Sequence, residues 1–163
     1  MRGVTSAEDN AQPLEQQVKA AYLFKFGGYV EWPANAFADA AAPLIIGIVA
    51  DDALVREVTR AVGNRTINGR TVVVQSLRVA EPVAKVHILF VGRAQLPKSA
   101  ELVASAHAAL VVTDADRGLD QGGMINFVTA DNRVRFEVSL DAAKRSGLKI
   151  GAPLLSVAMR VQG

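Results

Sequence analysis

The stretch GGMINFVTADNRVRFEVSLDAAKRSGLKIGAPLLSVAMRV, residues 122–161, decides the fold. It reads as strand, tight turn, strand and then two short helices. In the first strand Met124, Asn126 and Val128 alternate with Ile125, Phe127 and Thr129, so its two faces differ little, as in a strand covered on both sides. Ala130-Asp131-Asn132 supplies the turn, because Asp and Asn tolerate left-handed backbone and bond their own main chain. In the second strand Val134, Phe136, Val138 and Leu140 point one way, and Arg133, Arg135, Glu137 and Ser139 point the other. This period-2 pattern predicts one buried and one polar face. On that polar face residues two apart lie about 7 Å from each other, which lets Arg135 pair with Glu137. Asp141 can cap the next helix and Gly147 can end it. Pro153 can open a last apolar helix through Val161.

Working outward, Leu44 to Ala50 is an apolar run with three isoleucines, a buried parallel strand by type. Asp51 and Asp52 then offer N-caps to a helix through Val62. Asn68-Gly69 is a turn, Thr71 to Leu77 a valine-rich strand, and Glu81-Pro82 a break. Val86 to Val91 is a third strand, apolar except for His87. Pro97 to Ala108 forms a small helix and Leu110 to Thr113 a fourth strand. Upstream, residues 1–13 are polar and read as a disordered or tag-derived N-terminus. Pro13 opens a helix to Glu31, with Val18, Tyr22, Phe26, Tyr29 and Val30 on one face, Leu23 and Phe24 widening it, and Gly27-Gly28 packing closely on the sheet. Trp32-Pro33 ends it. Strands alternating with helices predict an α/β fold. The expectation is a single-domain sandwich over residues 14–163, with a mostly parallel six-stranded sheet and a C-terminal antiparallel hairpin.

The same blocks carry a resemblance. GGMINF, RVRFEVSLDAA, SGL and LLSVAMRV, together with VKAAYLFKFGGYVEWP (Val18 to Pro33), PLIIGIVADD (Pro43 to Asp52) and HILFVG (His87 to Gly92), resemble in order the signature of the YfiR-like family. The resemblance implies a non-catalytic periplasmic protein that forms a homodimer, binds the periplasmic sensor domain of a membrane-bound diguanylate cyclase and represses cyclic-di-GMP synthesis, so that biofilm formation responds to envelope signals. The alternative is a small-molecule-binding periplasmic sensory module. Where that family often has a Cys before its HILF block, this chain has Val86.

Composition narrows the remaining classes. The 163 residues are 50% hydrophobic with a formal net charge of +2, enough for one complete core. Like charges form no long run and lysines do not interleave with aromatics, which argues against nucleic-acid binding. There is no cysteine, hence no disulfide and no thiolate metal site. No apolar stretch approaches the roughly 18 to 20 residues of a membrane span, so no direct membrane insertion is expected. The polar start, VTSAEDNAQP after Met1-Arg2-Gly3, fits a mature periplasmic N-terminus or a cytosolic protein equally well.

No catalytic or cofactor motif survives inspection. The turn after the first strand reads VADDAL, with no glycine-rich phosphate loop, and its aspartates would repel a phosphate. A receiver-like Mg²⁺ pocket at Asp51 and Asp52 lacks a phosphoacceptor Asp in FVGRAQ. TDADRGLDQGG has the acidic spacing of a calcium loop, but the position where a bidentate Glu is needed is Ile125. His87 reads as a core histidine bonded to backbone and His107 as a surface residue. Ser146 to Lys149 matches SxxK without the partner motifs of penicillin-recognising enzymes. The expectation is therefore no enzyme activity, no cofactor and no metal. The residues left as a partner-binding surface are Trp32, Pro33, Arg133, Arg135 and Glu137, since Trp and Arg are frequent interface anchors.

Overall fold

A computed structural model describes residues 7–79, 85–106 and 108–163. Glu81-Pro82 and His107 lie outside the described residues. The strands are β1 (Val30–Glu31), β2 (Leu44–Val49), β3 (Thr66–Ile67), β4 (Arg70–Ser76), β5 (Ile88–Val91), β6 (Leu110–Thr113), β7 (Ile125–Ala130), β8 (Arg133–Ser139), β9 (Lys149–Ile150) and β10 (Arg160–Gln162). The helices are α1 (Ala7–Tyr29), α2 (Asp52–Val62), α3 (Ala100–Ser105), α4 (Leu140–Arg145) and α5 (Ala152–Val157).

The main sheet has eight strands in the order β10-β8-β7-β6-β5-β2-β4-β3. Pairing is parallel from β4 through β2, β5 and β6 to β7, antiparallel between β7 and β8, and parallel between β8 and β10. The α/β class and mostly parallel sheet follow from apolar strands linked by crossovers. The expected count of six strands is corrected to eight. The additions are β3, which pairs antiparallel with β4 across Asn68-Gly69, and β10. Both are two or three residues long and carry no readable periodicity. The last helix stops at Val157 because Ala158 turns extended at φ −66°, ψ 141°, so Val161 lies in β10 and not in a helix.

The local signals explain most element ends. Asp51 caps α2, its carboxylate accepting the Leu54 N–H at 3.0 Å. Asp131 and Asn132 both take positive φ, 54° and 60°, the two-residue turn that suits the twist of a hairpin. Gly147, at φ 75°, follows α4, where Gly147 N–H bonds Lys144 O and Leu148 N–H bonds Ala143 O. The cap of α4 is Ser139, whose hydroxyl accepts the Ala142 N–H, in place of the expected Asp141.

The first helix differs in three ways from the reading above. It begins at Ala7, before Pro13. It ends at Tyr29, because Val30 and Glu31 pair antiparallel with Ile150 and Lys149. Its buried residues are Lys19, Ala20, Leu23, Phe26 and Gly27, with Val30 buried just past its end, whereas Val18 and Tyr29 are exposed. Gly27 sits against Ile67 and Leu44, and a Cβ there would come within 2.6 Å of the Ile67 side chain. Close packing on the sheet is thus its reason.

Helices α1 and α2 pack together over one face of the sheet. Under α1 lies an aromatic cluster. Phe26 stacks on Phe127 at 5.8 Å between centroids and meets Phe136 edge-on at 5.3 Å, and Tyr22 also meets Phe136 edge-on at 5.3 Å. The opposite face carries α3 and the loop from Asp114 to Gly123. Removing the Phe136 ring should therefore leave a large void: Phe136→Ala is expected to cost about 3–5 kcal/mol, and Arg133→Ala, at an exposed position, less than about 0.5 kcal/mol by urea unfolding. Equal losses at both would reverse the strand phase.

Candidate functional site

The polar chemistry collects beside the carboxyl ends of β5 and β6. It begins with one row across the sheet, on the face opposite α1. Thr113 of β6 is in register with Asn126 of β7, Asn126 with Glu137 of β8, and Glu137 with Arg160 of β10. Side chains in register on one face touch, and these do so in sequence. The Asn126 carbonyl oxygen accepts from the Thr113 hydroxyl at 2.8 Å and from the Ala115 N–H at 3.1 Å. Its amide donates to Ala115 O at 2.9 Å and to Glu137 Oε1 at 3.2 Å. Glu137 Oε2 accepts from the Arg160 guanidinium at 2.8 Å.

The TDADRGLDQGG loop covers this row. Gly118 and Gly123 are required there: a Cβ at Gly118 would meet Asn126 Oδ1 at 2.2 Å, and one at Gly123 would meet Thr113 Oγ1 at 2.5 Å. The loop is a strand connection as read from sequence. Among the described residues no group of three or more His, Cys, Asp or Glu side chains is placed to hold a metal.

A second ionic group joins α1 to the strand ends. Lys19, only 8% exposed, donates to Asp114 Oδ2 at 3.0 Å and reaches Glu15 at 3.5 Å. Asp114 Oδ1 accepts the Arg93 backbone N–H at 2.7 Å, and Arg93 Nε lies 3.4 Å from Asp114 O. A buried pair of this kind is worth little against an apolar pair, but loss of one partner strands the other charge. Around Lys19, Arg93 and Asp114 lies a two-lobed cleft. One lobe, of about 370 Å³, opens over Ala50, Asp51, Leu54 and Gly92, and the other, of about 390 Å³, over Ala115, Arg117 and Phe127 to Thr129.

The expected surface residues separate. Trp32 is half-buried, its indole N–H donating to His87 O at 3.0 Å, and Pro33 beside it is half-buried too. They sit at the start of β5, whereas Arg133 and Arg135 lie at the far end of the sheet, on the β7–β8 hairpin. Arg133 is exposed and Arg135 half-buried opposite Val128. Glu137 corrects the reading of a solvated strand face: it is 7% exposed and paired with Arg160, not Arg135. The alternation marked its face rightly, but a loop from earlier in the chain covers that part of the face. Asn126, Lys19 and Arg160 were missed; a polar residue in an apolar strand was the one available signal for Asn126.

His87 is a core histidine bonded to backbone, as read. Its Nδ1 accepts the Ile45 N–H at 3.0 Å, so the proton sits on Nε2, which faces Ala36 O at 3.0 Å. Phe37 stacks on the ring at 4.2 Å, and the Arg70 guanidinium lies over Phe37 at 3.7 Å. Burial, with help from the Arg70 charge, pushes the imidazole below its ordinary value of 6.5, against the opposing Ala36 bond. The folded state thus disfavours the protonated ring. Its contribution to stability is complete above 6.5 and is lost as pH falls from there through the lower folded-state value. The melting temperature should drop from about pH 7.5 to about pH 5, and more steeply than in His87→Gln. An unchanged slope in that variant would show that His87 is not the sensor. At the polar row, Glu137→Ala should cost about 1–3 kcal/mol because Asn126 and Arg160 lose a partner, and Arg135→Ala less than about 0.5 kcal/mol, both by urea unfolding. The reverse order would return Glu137 to the solvated face.

No helix among the described residues is long and apolar enough to cross a membrane. Comparison with curated proteins finds no match. The YfiR/HmsC-like family matches residues 16–159, from the first helix to the residue before β10. That span takes in every block quoted above except the first two residues of β10, so the chain belongs to the YfiR/HmsC-like family.

Proposed function

We propose that this protein is a non-catalytic periplasmic repressor that binds the sensor domain of a membrane-bound diguanylate cyclase and lowers cyclic-di-GMP synthesis, acting as a homodimer. The observation that carries this reading is family membership over residues 16–159, which supports a periplasmic regulatory role in cyclic-di-GMP signalling. The polar side chains at the strand ends give further support. Thr113, Asn126 and Glu137 spend their hydrogen bonds on one another, on backbone and on Arg160, and Lys19 on Asp114 and Glu15. None pairs a nucleophile with a base.

The shape of the β7–β8 hairpin suits recognition. The β6 ladder stops at Thr113 opposite Asn126, and β10 reaches only Glu137. The hairpin runs on to Ala130 and Arg133, so it projects as a two-stranded ribbon carrying Arg133 and Arg135. Those arginines form one proposed contact surface, with Glu137 holding the base of the ribbon. The Trp32-Pro33 corner forms a second, at the other end of the sheet. A repressor acts only through differential affinity for two states of its target. Turning a cyclase from 99% active to 99% silent needs about 10⁴-fold discrimination, roughly 5.5 kcal/mol.

The test is co-expression with a membrane-bound diguanylate cyclase that carries a periplasmic sensor domain, reading cyclic-di-GMP and co-purification. Lowered cyclic-di-GMP and a stable complex are expected. Arg135→Glu should weaken the complex and leave the melting temperature nearly unchanged. A wild-type protein that neither co-purifies nor alters cyclic-di-GMP would remove the repressor reading.

A further inference from the structure

The chain leaves β2 through α2 toward β4, and leaves β5 through α3 toward β6, so the two crossovers depart in opposite directions. Between adjacent parallel strands that diverge in this way, a crevice opens at the carboxyl ends, and α/β proteins bind ligands there. Here the crevice is the 370 Å³ lobe. Its floor includes Ala50, Leu54 and Phe90. Gly92 keeps that floor low, since a Cβ there would lie 3.0 Å from Gln95 Oε1 and 3.3 Å from the Ala50 methyl.

The charges around the crevice are committed, with one exception. Lys19 is held by Asp114 and Glu15. Asp51 caps α2. Asp114 takes both Lys19 and the Arg93 N–H. Arg93 itself forms no ion pair with a carboxylate among the described residues. Its backbone N–H is tied to Asp114 at 2.7 Å and its Nε lies 3.4 Å from Asp114 O, which steers the stem, and its two terminal nitrogens are uncommitted. A guanidinium held in this way presents a ready fork for a planar carboxylate. The neighbouring Asp51 and Asp114 favour the lower charge: they would repel a phosphate dianion about twice as strongly as a monoanion.

We propose that this crevice is a binding site for a small monocarboxylate, with Arg93 gripping the carboxylate, the Gln95 amide beside it, and the carbon skeleton lying over Ala50, Leu54 and Phe90. The site gives the periplasmic protein a place to read a small organic acid. It stands independently of the cyclase, because binding belongs to the isolated chain.

The experiment uses the isolated protein with butyrate, hexanoate, benzoate and 3-phenylpropionate at matched ionic strength, each paired with its neutral amide. At about 100 times its Kd, a bound acid should raise the melting temperature by roughly 5–10 °C, and its amide should not. Arg93→Met should weaken binding about tenfold or more while the unliganded melting temperature stays within about 1 °C, because only an exposed side chain is changed. Backbone amide shifts on titration should centre on Arg93, Gln95 and Asp51. The proposal is overturned if no acid in the panel exceeds its amide, if Arg93→Met binds as well as the wild type, or if the shifts map elsewhere.

Discussion

The carboxamide of Asn126 is the constraint on which the end of the sheet beyond β6 depends. A side-chain amide has two acceptor sites and two donor hydrogens. In a fully buried position all four are used: by Thr113, by the N–H and C=O of Ala115, and by Glu137. A buried polar group left unpaired costs about 1–3 kcal/mol, so each partner is held in place by the others. The two bonds to Ala115 pull the chain off the line of β6 and turn it over the sheet. That turn demands Gly118 and Gly123, since a Cβ at either would strike Asn126 or Thr113. The bond to Glu137 orients a carboxylate whose other oxygen takes Arg160, and so fastens β10 to β8.

The cleft and the ribbon are consequences of the same diversion. Because the chain leaves β6 at Asp114, the space beyond that strand stays open, and β7 runs past it with only β8 beside it. Asp114, at the point of departure, receives Lys19 from α1 and the Arg93 N–H from the end of β5. The helix over one face and the loop over the other are therefore anchored within one residue of each other. Arg93 on one side and the Arg133/Arg135 ribbon on the other carry charge that no ion pair among the described residues takes up.

Much of this was legible. The alternation of Val134, Phe136 and Val138 against Arg133 and Arg135 gave the hairpin phase, and both Asp51 and Gly147 marked helix ends through local bonds that involve only near neighbours. His87 was readable as a core residue because it sits inside an apolar strand. Glu137 was not legible. Periodicity says which face a residue occupies, but what covers that face is set by a loop that starts 23 residues earlier, at Asp114. Arg160 pairs with Glu137 across 23 residues as well, through a strand too short to show a pattern. The buried stripe of α1 was displaced in the reading because Lys19, a charged residue, belongs to it. In each case a tertiary partner overrode the local preference.

The central claim is that Thr113, Asn126 and Glu137 act as one unit. Thr113 and Glu137 do not bond each other; each bonds Asn126 between them. A double-mutant cycle of Thr113→Val with Glu137→Ala, read by urea unfolding, isolates coupling that passes through that amide. The account predicts a coupling energy of about 0.5–3 kcal/mol that disappears when the cycle is repeated in an Asn126→Ala background. Additive losses, within about 0.3 kcal/mol in the wild-type background, would contradict it.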